Sequence, residues 1–238
     1  MPQVVAAPAK LTRSLRITGV RADGYHLLDA EMVSLDLADT LTFGDGDGLE
    51  VRGGVADVPI DDDNLVRRAL RLVDRRAHVV LHKQIPSGAG LGGGSADAAA
   101  VLRWAGVTEP RVAVTLGADV PFCLVGGRAR VTGVGEQVAP LPFEALAFTL
   151  LTPPVHCSTQ AVYAAWDALG GPHAEGPNDL EPAALVVAPE LARWRDELRD
   201  ATGHLPVLAG SGSTWFVEGE HPGHGRLVVH TVPGSGDG

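Results

Sequence analysis

The sequence has 238 residues, 45% of them hydrophobic and 20% charged, which is enough apolar chain for a sizeable core in one large domain or two small ones. Its formal net charge of −10, with no dense basic stripe, argues against a nucleic-acid partner, because phosphate backbones select clustered Lys and Arg; a single bound nucleotide needs only a few local donors. No apolar run approaches membrane-spanning length, the start MPQVVAAPAK lacks the segments of a signal peptide, and Cys123 and Cys157 form neither a disulfide framework nor a metal-site spacing, so a cytoplasmic protein with no membrane partner is expected.

Residues 4–20 read as extended, a turn follows at Ala22-Asp23-Gly24, and residues 26–43 alternate as one or two strands. Residues 44–63 read as a loop around one short strand. Asp45-Gly46-Asp47 starts like a calcium loop, but Leu49 and Ala56 stand where ligands belong, so calcium is rejected there. Residues 64–76 predict a helix with Leu65, Ala69, Leu72 and Val73 on one face, and residues 77–81 a strand. The glycine run 88–94 opens into a helix over 95–102, residues 116–121 form another loop, and 129–138 read as strands with glycine turns. A boundary falls at 140–144, dividing the chain into 1–143 and 144–238. Beyond it come a strand at 147–151, helices over 159–169 and near 189–200, a Gly–Ser loop at 210–213, a strand at 227–232, and a tail, GSGDG, expected to be disordered. The elements mix without regular βαβ alternation, so the fold class is α+β.

The segment GAGLGGGSADAAA carries the most chemistry. It sets a flexible loop before a helix N-terminus, where unpaired N–H groups and a partial positive charge meet, and glycines let backbone approach a phosphate closely. That is a phosphate cradle. It is not a Walker A loop, since no Lys-Ser or Lys-Thr pair follows, and its spacing fails the dinucleotide fingerprint. The other reading is an ordinary glycine-rich turn before an alanine-rich helix. Of 19 basic residues only Lys10 and Lys83 are lysines, which marks both as candidates for a compact ammonium; two solvated lysines is the competing reading.

Residues 86–100 resemble the second signature of the GHMP kinases. In the same family order stand Pro8-Ala9-Lys10-Leu11, the ADGYH segment ending at Tyr25 and His26, LGADVPF over 116–122, Asn178-Asp179-Leu180-Glu181 and Gly210-Ser211-Gly212. ADGYH and LGADVPF are similar to the branch whose acceptor is a cytidyl-diphosphate sugar alcohol of the non-mevalonate isoprenoid pathway. The resemblance implies a two-domain α+β fold with its site in the cleft between domains, and ATP and Mg²⁺ as cofactors. It implies Asp119 as base for the substrate hydroxyl and Lys10 as its cationic neighbour; read alone, Asp119 is equally a turn or cap aspartate and Lys10 a strand-end lysine. ATP is assigned to Asn64, Leu65, Lys83, Pro86, Gly88, Gly90, Leu91, Gly92, Gly93, Gly94 and Ser95, with Asn64 also reading as a helix N-cap.

The acceptor is assigned to Thr12, Tyr25, His26, Thr159, Tyr163, Gly210 and Ser211; core tyrosines, an N-cap Thr159 and a simple 210–212 turn are the alternatives. No residue is assigned as a metal ligand. Thr12 departs from the family's usual Asn, Ala96 and Ala209 from serines, and the stretch 102–116 is short. A GHMP kinase for another small alcohol, such as homoserine or mevalonate, and a non-catalytic ligand-binding homologue both fit the glycine loop. ADGYH argues against the first, Lys10 with Asp119 against the second.

Overall fold

The computed structural model describes residues 2–53 and 58–234. Ala56, and so part of the rejected calcium loop, lies outside them. So does the GSGDG tail apart from Gly234, which is ordered in a bridge to Gly126. The chain runs β1 (Gln3–Val20), β2 (His26–Gly44), β3 (Gly48–Arg52), α1 (Leu65–Leu72), β4 (His78–His82), α2 (Gly93–Trp104), α3 (Pro110–Ala113), α4 (Val120–Val125), β5 (Arg128–Gly133), β6 (Gln137–Leu141), β7 (Ala147–Leu151), α5 (Thr159–Ala168), α6 (Glu181–Val187), α7 (Leu191–Thr202), β8 (Val207–Leu208), β9 (Trp215–Glu218) and β10 (Arg226–His230). This is an α+β architecture on two sheets.

The first sheet is organised by β2. Alternating apolar residues make it one strand of 19 residues, not two. One edge pairs with β1 along its length. The other edge is divided: Leu28 to Val33 pair with β5, and Thr40 to Gly44 with β4. Asp39 sits at the start of the second pairing. Its buried carboxylate accepts the N–H groups of Gln84 (2.5 Å) and Ile85 (2.8 Å) where the chain leaves β4. The β1–β2 register slips between Pro8↔Ala38 and Lys10↔Ser34, an irregularity of the kind that re-aims a side chain beside a site.

The second sheet has the order β10-β7-β9-β8 and closes over Trp215, Phe148 and Leu150, all fully buried. A segment expected as a loop holds a helix: α4 begins at Val120 with Pro121 in its first turn, where a missing N–H costs nothing, and α6, for which the sequence reading assigned no element, begins beside Pro182 for the same reason. Among the described residues no helix is long and apolar enough to cross a membrane.

The segment before α6 ties the sheets together. Leu15 donates its N–H to Pro177 O (2.9 Å) and accepts that of Asp179 (2.9 Å). The Asp179 carboxylate, fully buried, accepts from Arg16 (2.7 Å), the Ile17 N–H (3.0 Å), the Ala174 N–H (3.0 Å) and His173 (3.0 Å). Asn178 donates to Leu208 O (2.9 Å) and Gly210 O (2.7 Å) and accepts the Leu180 N–H (2.9 Å).

Burial alone would raise the Asp179 pKa, but His173, Ile17, Arg16 and Ala174 hold it below its ordinary value. A depressed carboxyl stabilises the fold above its unfolded pKa of about 3.9, and that contribution is lost as pH falls through the lower folded value. Asp179→Ala strands buried donors and should cost roughly 2–4 kcal/mol at neutral pH in urea unfolding. The difference from wild type should shrink as pH falls below about 4; a difference independent of pH would exclude the ionised carboxylate as its source.

Candidate functional site

A cleft of about 480 Å³ opens between β1, the glycine loop, α4, α5 and the 209–214 loop. The loop's glycines are dictated by close approach. A Cβ on Gly90, whose φ is +77°, would stand 2.4 Å from Ala209 O and 2.7 Å from Gly212 O; one on Gly92, at φ +69°, would stand 2.7 Å from Cγ of Lys10. Backbone bonds lock the same pieces together, Lys10 N–H to Leu91 O (3.0 Å) and Thr214 N–H to Ala89 O (3.2 Å). Helix α2 starts inside the glycine run, at Gly93, with left-handed Gly92 as N-cap and no capping side chain. Its first-turn amides have no intrahelical acceptor. Gly93, Gly94 and Ser95 line the cleft there, so amides and the positive end of the helix dipole are available to an anion.

Lys10 reaches the cleft from the register slip of β1. Its side chain is 5% exposed, and Nζ lies 3.5 Å from Oδ2 of Asp119, whose side chain is 34% exposed. Nζ also donates to Oγ1 of Thr12 at 3.1 Å. Asp119 is the N-cap residue of α4 by position, yet its side chain makes no capping bond and turns to Lys10 instead. Arg103 on α2 fixes α4 by donating to Cys123 O (2.6 Å) and to Ala6 O of β1 (2.9 Å). The arrangement is a carboxylate one third exposed, facing a buried ammonium in the cleft that the uncapped start of α2 also lines.

Of the remaining candidates, Leu65, Lys83, Pro86, Gly88, Leu91, Thr159, Gly210 and Ser211 line this cleft, and Thr159 and Ser211 share a hydrogen bond of 3.0 Å. Asn64 does not line it; its side chain accepts the Val66 N–H (2.8 Å) as N-cap of α1 and donates to Pro59 O (2.6 Å). Tyr25 and His26 are in an adjoining pocket of about 410 Å³, which shares Tyr163 with the cleft. Tyr25 is exposed at its edge, and burial pushes the Tyr163 phenol pKa up, so that hydroxyl stays neutral.

Lys83 is bound from below the loop. Its ammonium, 3% exposed, meets the buried carboxylates of Asp39 and Asp97, the latter at 2.8 Å. Burial raises the Asp97 pKa against the pull of Lys83, and Asp97 Oδ1 is buried with no hydrogen-bond partner. A Cβ on Gly93 would lie 3.2 Å from Lys83 Nζ, so this triad underlies the first turn of α2. The sequence reading missed both carboxylates, although each left a signal. Asp39 shares strand parity with Leu35, Leu37 and Leu41, and Asp97 interrupts an otherwise apolar helix start.

The chain is similar to known kinases over most of its length. The model for the GHMP kinases N terminal domain matches residues 64–127. The chain is 42% identical to the 4-diphosphocytidyl-2-C-methyl-D-erythritol kinase of Paracoccus denitrificans, over 89% of this chain and 85% of that protein. It is 39% identical to the enzyme of that name from Ruegeria pomeroyi, over 94% and 91%. Among solved structures, a 4-(cytidine 5'-diphospho)-2C-methyl-D-erythritol kinase superposes with a TM-score of 0.76 at 32% identity, covering 96% of this chain and 98% of that one.

The two lysines should respond unequally to removal. Lys83→Met leaves two carboxylates buried without their cation and should cost roughly 3–5 kcal/mol in urea unfolding. Lys10→Met leaves Asp119 in partial contact with water and should cost less stability. Equal losses would contradict the contrast in burial.

Proposed function

We propose that this chain, which belongs to the 4-diphosphocytidyl-2-C-methyl-D-erythritol kinase family of GHMP kinases, transfers the terminal phosphate of ATP to the 2-hydroxyl of 4-diphosphocytidyl-2-C-methyl-D-erythritol, in the non-mevalonate route to isoprenoid precursors. The observation that carries the reading is the Lys10–Asp119 pair, 3.5 Å apart, beside a glycine-built helix start.

In this reading the triphosphate lies along residues 86–95, held by loop and α2 amides. Asp119 takes the proton of the acceptor hydroxyl. The oxygen forms its bond to the terminal phosphorus as the bond to the departing ADP oxygen breaks; the proton remains on Asp119. Lys10 stands against the Asp119 carboxylate and offsets the negative charge on the transferring group. Such a reaction asks the protein chiefly for positioning and charge stabilisation, which a site locked by backbone contacts supplies.

Mg²⁺ fits the donor set: the cleft offers the Ser95 hydroxyl and the Asp119 carboxylate, oxygen donors of the kind a hard cation takes beside phosphates. When bound it would neutralise phosphate charge. We divide the chain into units 1–143 and 144–238, one for each sheet, and assign it to the cytoplasm, where its two buried free cysteines would stay reduced.

ADP release from MgATP should require the cytidyl acceptor. Asp119→Asn should lower kcat by about 10²–10⁴ with little change in ATP affinity. A near-normal rate in that variant would displace Asp119 from the role of base, and ADP release with homoserine or mevalonate in place of the cytidyl acceptor would displace the substrate.

A further inference from the structure

Helix α5 forms one wall of the pocket beside the cleft, through Gln160, Tyr163, Ala164 and Asp167. Tyr163, Trp166 and Asp167, at i, i+3 and i+4, project together, and all three hold the ring of His26. The Tyr163 ring is 4.7 Å away, the Trp166 ring meets His26 edge-on at 5.4 Å, and Oδ1 of Asp167 is 2.8 Å from Nε2. Trp166 is itself anchored by its Nε1–H to Pro172 O at 2.9 Å. The His26 side chain is 11% exposed, so its orientation is set by these neighbours.

An ionised carboxylate only accepts hydrogen bonds, so the His26 nitrogen facing Asp167 carries the proton. In a neutral imidazole the other nitrogen is then an acceptor. That atom, Nδ1, has no hydrogen-bond partner among the described residues. Cytosine presents an exocyclic amine, a donor, at the position where uracil presents a carbonyl oxygen.

We propose that Asp167 is a specificity-determining positioning residue: it fixes His26 as the Nε2–H tautomer, so that Nδ1 accepts from the amine of a cytosine base and opposes the carbonyl of uracil. The inference rests on the reading of a cytidyl acceptor given above. Asp167 acts only through His26. Without it the ring can present an N–H to the pocket and meet a uracil carbonyl as well as a cytosine amine.

The test measures kcat/KM for the cytidyl acceptor and its uridyl counterpart in wild type, Asp167→Ala and Asp167→Glu, at about pH 8, where an ordinary imidazole is neutral. Ring-¹⁵N spectra of His26 report the tautomer directly. Wild type should prefer the cytidyl acceptor by about 10² or more, since an unpaired polar contact in a base pocket carries that order of penalty. Asp167→Ala should cut the preference by about tenfold or more, mainly through acceptor KM, with no parallel change in KM for ATP and with loss of the single Nε2–H signature; Asp167→Glu should recover part of both. A wild type that discriminates while Asp167→Ala discriminates equally overturns this proposal alone, as does a wild-type His26 protonated at Nδ1. A wild type that accepts both bases equally overturns the cytidyl reading and this proposal with it.

Discussion

An ammonium out of water has to be paired, and the burial of Lys10 is the constraint around which the cleft is arranged. Its stem lies where a side chain on residue 92 would be, so that residue is glycine. Its own N–H holds Leu91 O and so draws the glycine loop onto β1. Its head takes Thr12 and Asp119 as partners. The partner that takes the proton in the proposed reaction is the one left a third exposed. A fully buried Asp119 could not reach a hydroxyl, and a fully solvated one would not be oriented by the lysine.

The fold keeps that pair aligned from two directions. From below, Asp39 and Asp97 confine Lys83 under α2, and Asp39 also gathers the Gln84 and Ile85 amides, which fixes where the glycine loop begins. From the second sheet, Asn178 holds Leu208 and Gly210 carbonyls while its neighbours dock on Leu15 of β1. The loop at 209–214 therefore meets the glycine loop at a fixed distance, close enough that Gly90 has no room for a Cβ. Polar groups buried between layers here specify geometry more than they add stability, because each satisfies backbone amides or carbonyls that belong to separate segments.

How much of this was legible follows from range. Local pattern carried the long strand β2, the helices α1, α2, α5 and α7, and the glycine loop, because alternation, helical periodicity and glycine clusters are written within about ten residues. The sequence at Val120 reads as loop, since a six-residue helix has too few turns to show a period and Pro121 reads equally as a breaker. Lys10 and Asp119 were legible as residues, but their meeting is a contact across 109 positions, and only the family resemblance pointed to it. The partners of Lys83 were out of reach for the same reason: strand parity showed Asp39 facing inward without showing what it faces. Asp167 left a fainter trace, its i+4 spacing from Tyr163, which acquires meaning only once His26 is seen against that face.

The departures from the family pattern become intelligible on the same grounds. Thr12 retains what its position requires, an oxygen that accepts from Lys10, at 3.1 Å. The amide that an asparagine would add is a donor, and Lys10 already supplies donors. Ala96 is 1% exposed and does not line the cleft, so a serine there would turn its hydroxyl into buried surroundings while Ser95 lines the open side. Ala209 is likewise fully buried; what reaches Gly90 is its carbonyl oxygen, which any residue provides. The three substitutions thus fall where backbone or a single oxygen does the work. The positions whose side chains must carry charge or leave space, Lys10, Asp119, Gly90 and Gly92, keep the residues that the geometry demands.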